Sequence, residues 1–191
     1  MADPIRIVHY RQSWPDDFAA LAVELAAALG PRALRIDHIG STSVPGLAAK
    51  DVIDVQISVG SLSEPGVLDD AMAACGAEFR AGAVDHRPPG TPVHARELDK
   101  RFYAKSGPRR ANIHIRVEGR FNQRYALLCR DYLRAHPDAA DAYAEIKRQL
   151  ARRFGNDVEA YYDVKDPVFD LIMAGAREWA ASNAWESQFT D

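Results

Sequence analysis

The sequence predicts an α+β fold: a mixed β-sheet core, helices flanking it and a C-terminal helical extension. Two periodicities carry that expectation. Apolar and polar residues alternate over 52–59 and 111–117, the period of a strand with one buried face. Elsewhere apolar residues recur every three or four positions, as in Phe18, Leu21, Leu25 and Leu29, the period of an amphipathic helix. The third observation is order. Strand patterns end near Val117, and helical patterns fill most of the chain after it. The chain therefore divides into an α/β core over residues 1–120 and a helical extension over 121–191, packed on the core as one structural unit. Its 191 residues suffice for one substantial hydrophobic core.

Residues 5–8 form a short first strand or extended arm. Trp14-Pro15-Asp16-Asp17 opens a helix, because proline and acids suit a first turn, and Gly30-Pro31 stops it. Residues 34–39 predict a strand. In 52–59, Ile53, Val55, Ile57 and Val59 share one face, and Val52, Asp54, Gln56 and Ser58 share the other. A helix over 64–75 turns Val67, Leu68, Met72 and Cys75 inward and ends at Gly76. Residues 82–92, rich in Gly, Pro and His, predict a loop. Residues 101–105 and 111–117 pair around Ser106-Gly107-Pro108. Asn112, His114 and Arg116 fall on one face of the second strand. Helices follow over 122–135, 138–154 and 167–182.

A composition of 47% hydrophobic and 27% charged residues is that of a soluble globular protein. No stretch reaches the ~18 apolar residues of a membrane helix. Met1-Ala2-Asp3-Pro4-Ile5 has neither the basic nor the apolar region of a signal peptide. Cys75 and Cys129 stand apart from any metal-ligand spacing and read as reduced, buried thiols. A cytoplasmic protein without a membrane partner is expected. Residues 86–153 hold 16 Lys and Arg against 7 Asp and Glu. Such a basic middle gathers anions. Its basic residues are not interleaved with an aromatic stacking platform and no nucleic-acid motif occurs, which argues against DNA or RNA.

The segment Ile39-Gly40-Ser41-Thr42-Ser43 concentrates the chemistry. Glycine admits close backbone approach, and hydroxyls and amides bind phosphate oxygens. Asp54 interrupts the apolar run of the next strand, where a lone acid is costly unless it has a partner or a task. A P-loop is excluded, because Gly46 is followed by Leu47 and not by Lys-Ser or Lys-Thr. No G-x-G-x-x-G fingerprint occurs. Lys50, Arg110 and Arg116 are candidates for phosphate contacts; the plainer alternatives are pairing with Asp51 for Lys50 and surface exposure for the two arginines. His38 and His114 are candidates for a base or a ligand, or for structural hydrogen bonding.

Twelve residues separate Ser41 from Asp54. Ile39-Gly40-Ser41 followed by Asp54-Val55-Gln56 resembles the nucleotidyltransferase superfamily signature, a Gly-Ser turn and a pair of acids on the next strand. More narrowly, the chain resembles the GrpB family. The matching residues are His38-Ile39-Gly40-Ser41-Thr42-Ser43-Val44-Pro45-Gly46-Leu47, Ala49-Lys50, Ile53-Asp54, Ile113-His114-Ile115, Tyr132-Leu133-Arg134-Ala135-His136-Pro137, Tyr143, Lys147, Tyr161, Lys165 and the Trp179 helix. Tyr10, Trp14-Pro15 and Phe18 fit as well. The resemblance implies a nucleotidyltransferase-like core that binds a nucleotide or another phosphorylated small molecule. It implies Mg²⁺ at Asp54 and the Gln56 position, phosphates at Gly40, Ser41, Thr42, Ser43 and Lys50, and His114 completing a catalytic site with Asp54. Related domains occur fused to dephospho-CoA kinases in some bacteria. The sequence departs from the superfamily pattern at Gln56, an amide in place of the second acid, and at His114, where a third acid is usual. Asp51 stands where the family has proline. Two functions follow: Mg²⁺-dependent nucleotidyl transfer, or a non-catalytic nucleotide- or anion-binding module. Tyr143, Lys147, Tyr161 and Lys165 read by themselves as helix packing and solvated charge.

Overall fold

A computed structural model describes residues 4–90 and 92–186. The outer ends of the two expected segments, 1–3 and 187–191, lie outside the described residues. One five-stranded sheet forms the centre. In chain order the strands are β1 (Arg35–Ile39), β2 (Ile53–Val59), β3 (Ala77–Phe79), β4 (Lys100–Lys105) and β5 (Ala111–Val117). Their spatial order is β1-β2-β5-β4-β3, with β2 and β5 parallel and the other pairs antiparallel. The helices are α1 (Trp14–Leu29), α2 (Pro65–Ala74), α3 (Phe121–Ala135), α4 (Pro137–Phe154) and α5 (Val158–Ser182). This is the expected α+β arrangement of a mixed sheet with flanking helices and a C-terminal helical extension.

Strand alternation divides the sheet into two faces. Ile53, Val55, Ile57, Ile113 and Ile115 are fully buried against Trp14, Leu21 and Leu25 of α1 and Leu68 and Met72 of α2. Each such aliphatic side chain contributes roughly 1.5–3 kcal/mol by leaving water. The opposite face carries Asp54, Gln56 and Ser58 on β2. In register beside them on β5 are Asn112, His114 and Arg116. A second apolar cluster joins Val44, Leu47 and Ala48 to α3, α4 and α5 through Leu128, Leu133, Tyr143, Met173 and Ala176. The cavity described below lies between the polar face and this helical layer.

Three details depart from expectation. Val67 is exposed at 39%, because α2 buries only Leu68 and Met72. The three residues of β3 are too few for a period to register. The last helix begins at Val158, and Pro167 lies inside it. The start signal is Asp157, whose side chain accepts from the Ala160 amide at 3.0 Å. Pro167 is exposed, so its ring meets solvent, at the cost of one backbone hydrogen bond within the helix.

Candidate functional site

The turn after β1 is built by glycine. Gly40 has φ +69°, and a Cβ there would fall 2.3 Å from Asp54 Oδ2. Only glycine lets the backbone come this close to the β2 carboxylate. Residues Ser41–Ser43 form a single 3₁₀ turn. Its hydroxyls have separate partners. Ser43 Oγ donates to the Gly40 carbonyl at 2.6 Å, and Thr42 Oγ1 lies 2.9 Å from His38 Nε2. Ser41 Oγ accepts from Lys147 Nζ at 2.9 Å.

Asp54 stands on the floor of a cavity of about 380 Å³. Across the parallel pair, Asn112 Nδ2 donates to Asp54 Oδ1 at 2.8 Å. Burial pushes the Asp54 pKa above the ordinary carboxylate value, while Asn112, Lys50, Lys165 and Lys147 pull it back. These three lysines come from three places: the segment before β2, α4 and α5. Lys147 is only 2% exposed and also donates to the Ala48 carbonyl at 2.6 Å. Burial, and then the charge of Lys165, push its pKa down to about 7. Lys50 donates to the Tyr162 hydroxyl, and Lys165 lies 3.1 Å from Asp166 Oδ1. Aromatic rings hold the ammonium groups: Tyr143 under Lys147 at 4.4 Å and Phe169 under Lys165 at 4.3 Å.

The far wall is a closed ionic knot. Asp85 accepts from Lys100 at 2.6 Å, from Arg116 Nε and Nη2 at 2.9 and 2.8 Å, and from Asn122 at 3.0 Å. Although burial opposes it, the adjacent Arg116 and Lys100 charges hold the Asp85 carboxyl well below the usual range. His114 sits between this knot and Phe102, with Nδ1 3.4 Å from Arg116 Nη2 and ring centroids 4.8 Å apart. Burial and the nearby Arg116 and Lys100 charges push its pKa far down, so it is a neutral imidazole at pH 7. His38 is neutral as well. Burial and the Arg134 and Arg130 charges bring its pKa to about 4.

Gly40, Ser41, Thr42, Lys50, Asp54, His114 and Arg116 thus meet around one cavity. Three candidates do not take the positions expected of them. Ser43 is buried beneath the turn, where its carbonyl accepts from Arg134 Nε and Nη2 at 3.0 and 2.9 Å. Arg110 is exposed beside β5, outside the cavity. Gln56 has no exposed surface. Its Oε1 accepts from Arg116 Nη1 at 2.6 Å, and its Nε2 donates to the Gln123 carbonyl at 3.1 Å. Arg116 lines the cavity, but its guanidinium is spent on Asp85 and Gln56. The pairing considered between Lys50 and Asp51 is also replaced. Asp51 accepts from Arg11, Trp14 and Arg109.

A Mg²⁺ site fits poorly here. The second-acid position is Gln56, which faces away into Arg116 and Gln123. The group opposite Asp54 is an amide already donating to it, and the charges of three lysines already act on its carboxylate. Among the described residues, no group of three or more His, Cys, Asp or Glu side chains is placed to hold a metal ion. Hard divalent cations need several oxygen ligands, which this corner does not gather.

The residues missed by sequence reasoning are Lys147, Lys165, Asn112 and Asp85. A signal existed for the first two. Tyr143 and Lys147, and again Tyr161 and Lys165, are spaced i,i+4, so each pair shares a helix face. Read as solvated charge, Lys147 is instead among the most buried polar groups in the chain.

The GrpB protein family matches residues 4–175. The chain belongs to the GrpB family. The crystal structure of the conserved protein GrpB from Enterococcus faecalis superposes with a TM-score of 0.75 at 28% identity. The match covers 91% of this chain and 99% of that one. The UPF0157 protein PA4798 of Pseudomonas aeruginosa is 36% identical, over 91% of this chain and 68% of that protein. A protein of Mycolicibacterium paratuberculosis named dephospho-CoA kinase is 38% identical over 96% of this chain. The chain spans about half, 48%, of that kinase's length. No helix among the described residues is long and apolar enough to cross a membrane.

Proposed function

We propose that this GrpB-family chain binds a nucleotide or another phosphorylated small molecule in the cavity over Gly40–Ser41, as a binding module and not as a metal-dependent nucleotidyltransferase. The observation that carries the reading is the convergence of Lys50, Lys147 and Lys165 on the one corner where the Gly-Ser turn meets Asp54. Buried ammonium groups beside a glycine turn attract phosphate oxygens more strongly than surface lysines do, because water does not screen them. Aromatic residues Phe102, Tyr125, Tyr161 and Tyr162 supply flat walls on which a base or other ring stacks. Transfer chemistry is disfavoured because Asn112, and not an acid, stands beside Asp54 on the neighbouring strand.

A thermal-shift screen of the whole chain tests this reading. Its probes are nucleoside mono-, di- and triphosphates, CoA and dephospho-CoA, each with Mg²⁺ and with EDTA. At least one phosphorylated probe is expected to raise Tm, and Lys147→Met to abolish that rise. A screen in which none raises Tm under either condition contradicts it.

A further inference from the structure

We infer that the ligand presents a phosphomonoester dianion to this cavity, and that Lys50, Lys147 and Lys165 neutralise it without a divalent metal. The inference rests on the phosphate-binding reading above and goes further by naming the charge class and the absence of a metal.

Where a metal-dependent site needs oxygen ligands, this corner holds nitrogen donors. Asn112 Nδ2 points to Asp54, Lys147 Nζ points to Ser41, and Arg116 occupies the amide oxygen of Gln56. A charged ammonium has no lone pair for a metal, and a cation set among three of them meets more like charge than the two carboxylates Asp54 and Asp166 offset. A phosphate oxygen, by contrast, accepts from every one of these lysines.

The charge balance selects the ligand. At this corner the three lysines face two carboxylates, Asp54 and Asp166. That leaves one positive charge, or two when Asp54 holds its proton. A monoester dianion closes this balance. A phosphodiester leaves part of it open, and a triphosphate stripped of its metal exceeds it. The ionic knot at the far wall is counted apart: Lys100 and Arg116 exceed its single carboxylate, Asp85, by one positive charge, which also favours an anion. Lys100 and Arg116 are drawn into Asp85 and Gln56, with the side chains of Lys100 and Arg116 only 6% exposed. Lys147 contributes most to affinity, because it is desolvated before the ligand arrives and only neutral groups, the Ser41 hydroxyl, the Ala48 carbonyl and the Tyr143 ring, are in contact with its ammonium. Burial already holds Asp54 toward its protonated form, so a dianion arriving beside it completes protonation and draws a proton from solution.

Isothermal titration of the whole chain decides the matter. The probes are inorganic phosphate, AMP, UMP, adenosine and ATP, each in EDTA and in excess Mg²⁺. AMP or UMP is expected to bind in EDTA with a Kd that Mg²⁺ leaves unchanged, and adenosine at least about tenfold more weakly than AMP. Lys165→Gln and Lys50→Gln are expected to weaken monophosphate binding about tenfold each. Arg32→Gln, at an exposed residue remote from the cavity, leaves it unchanged. Binding of the monophosphate is expected to take up protons, read from the heat in buffers of different ionisation enthalpy. A Kd that tightens about tenfold or more with Mg²⁺, together with a preference for ATP over AMP, overturns the inference and leaves the phosphate site standing. Failure of every phosphorylated probe in both conditions, or equal binding of AMP and adenosine, overturns the underlying reading as well.

Discussion

At Gly40 the chain passes so close to Asp54 that residue 40 has no room for a side chain. Gly40→Ala places a methyl group 2.3 Å from the carboxylate, at a φ that L-residues rarely adopt. The expected cost is about 1–3 kcal/mol of unfolding free energy from backbone strain alone, read from urea denaturation. An unchanged midpoint would contradict the close approach. Lys147 gives a second test at the same scale. Its folded pKa, about 7, lies below its ordinary 10.5. Between those values the unfolded chain binds the proton that the folded chain releases. Stability therefore rises with pH across that window on account of this group. In Lys147→Met the rise disappears from Tm measured against pH. Anion affinity runs the other way. The ammonium form does the binding, so affinity falls as pH climbs above about 7 in a titration series.

Elements differ in how plainly they announce themselves. Strand β2 is legible because its buried Ile53, Val55, Ile57 and Val59 alternate with Asp54, Gln56 and Ser58, and each face meets a different layer. Helix α1 is legible for the same reason at the helical period. Helix α5 is misread at Pro167, since a proline ordinarily opens a helix. Here nine helical residues precede it, nucleated by the Asp157 cap, and the proline removes the amide that would bond the Asp163 carbonyl. Pro167→Ala restores that donor at an exposed position. It is expected to stabilise the chain by about 1–3 kcal/mol, seen as a higher denaturation midpoint. A lower midpoint would contradict this account of the missing donor.

For the whole molecule, the helical layer is tied to the sheet by polar contacts that span about half of the sequence. Arg130 Nη1 donates to the His38 carbonyl at 3.2 Å, and Arg134 grips the Ser43 carbonyl. Lys147 donates to the Ala48 carbonyl. The loop after β3 is tied in through Asp85, which joins β4, β5 and α3 at a single carboxylate. Asp85→Asn leaves Lys100 and Arg116 with buried, uncompensated charge, and is expected to cost about 3–5 kcal/mol at neutral pH. The sign with pH follows from a folded pKa held below the ordinary 3.8. The contribution of Asp85 is complete above about pH 4 and is lost as pH falls beneath it. The gap between wild type and variant should narrow in acid urea titrations, and a constant gap would remove the ionic account of this knot.

The sequence by itself determined most of the element types, the two-faced sheet and the place of the candidate site at Gly40, Ser41 and Asp54. Those properties are written in local periodicity and in one contiguous motif. Only the tertiary structure decided what surrounds Asp54. Lys147 and Lys165 lie 93 and 111 residues further along the chain, and their burial depends on how α4 and α5 pack over the sheet. The fates of Gln56 and Arg116 were decided there too. Each is consumed by a partner that local pattern cannot identify, because a long-range hydrogen bond leaves no period in the sequence.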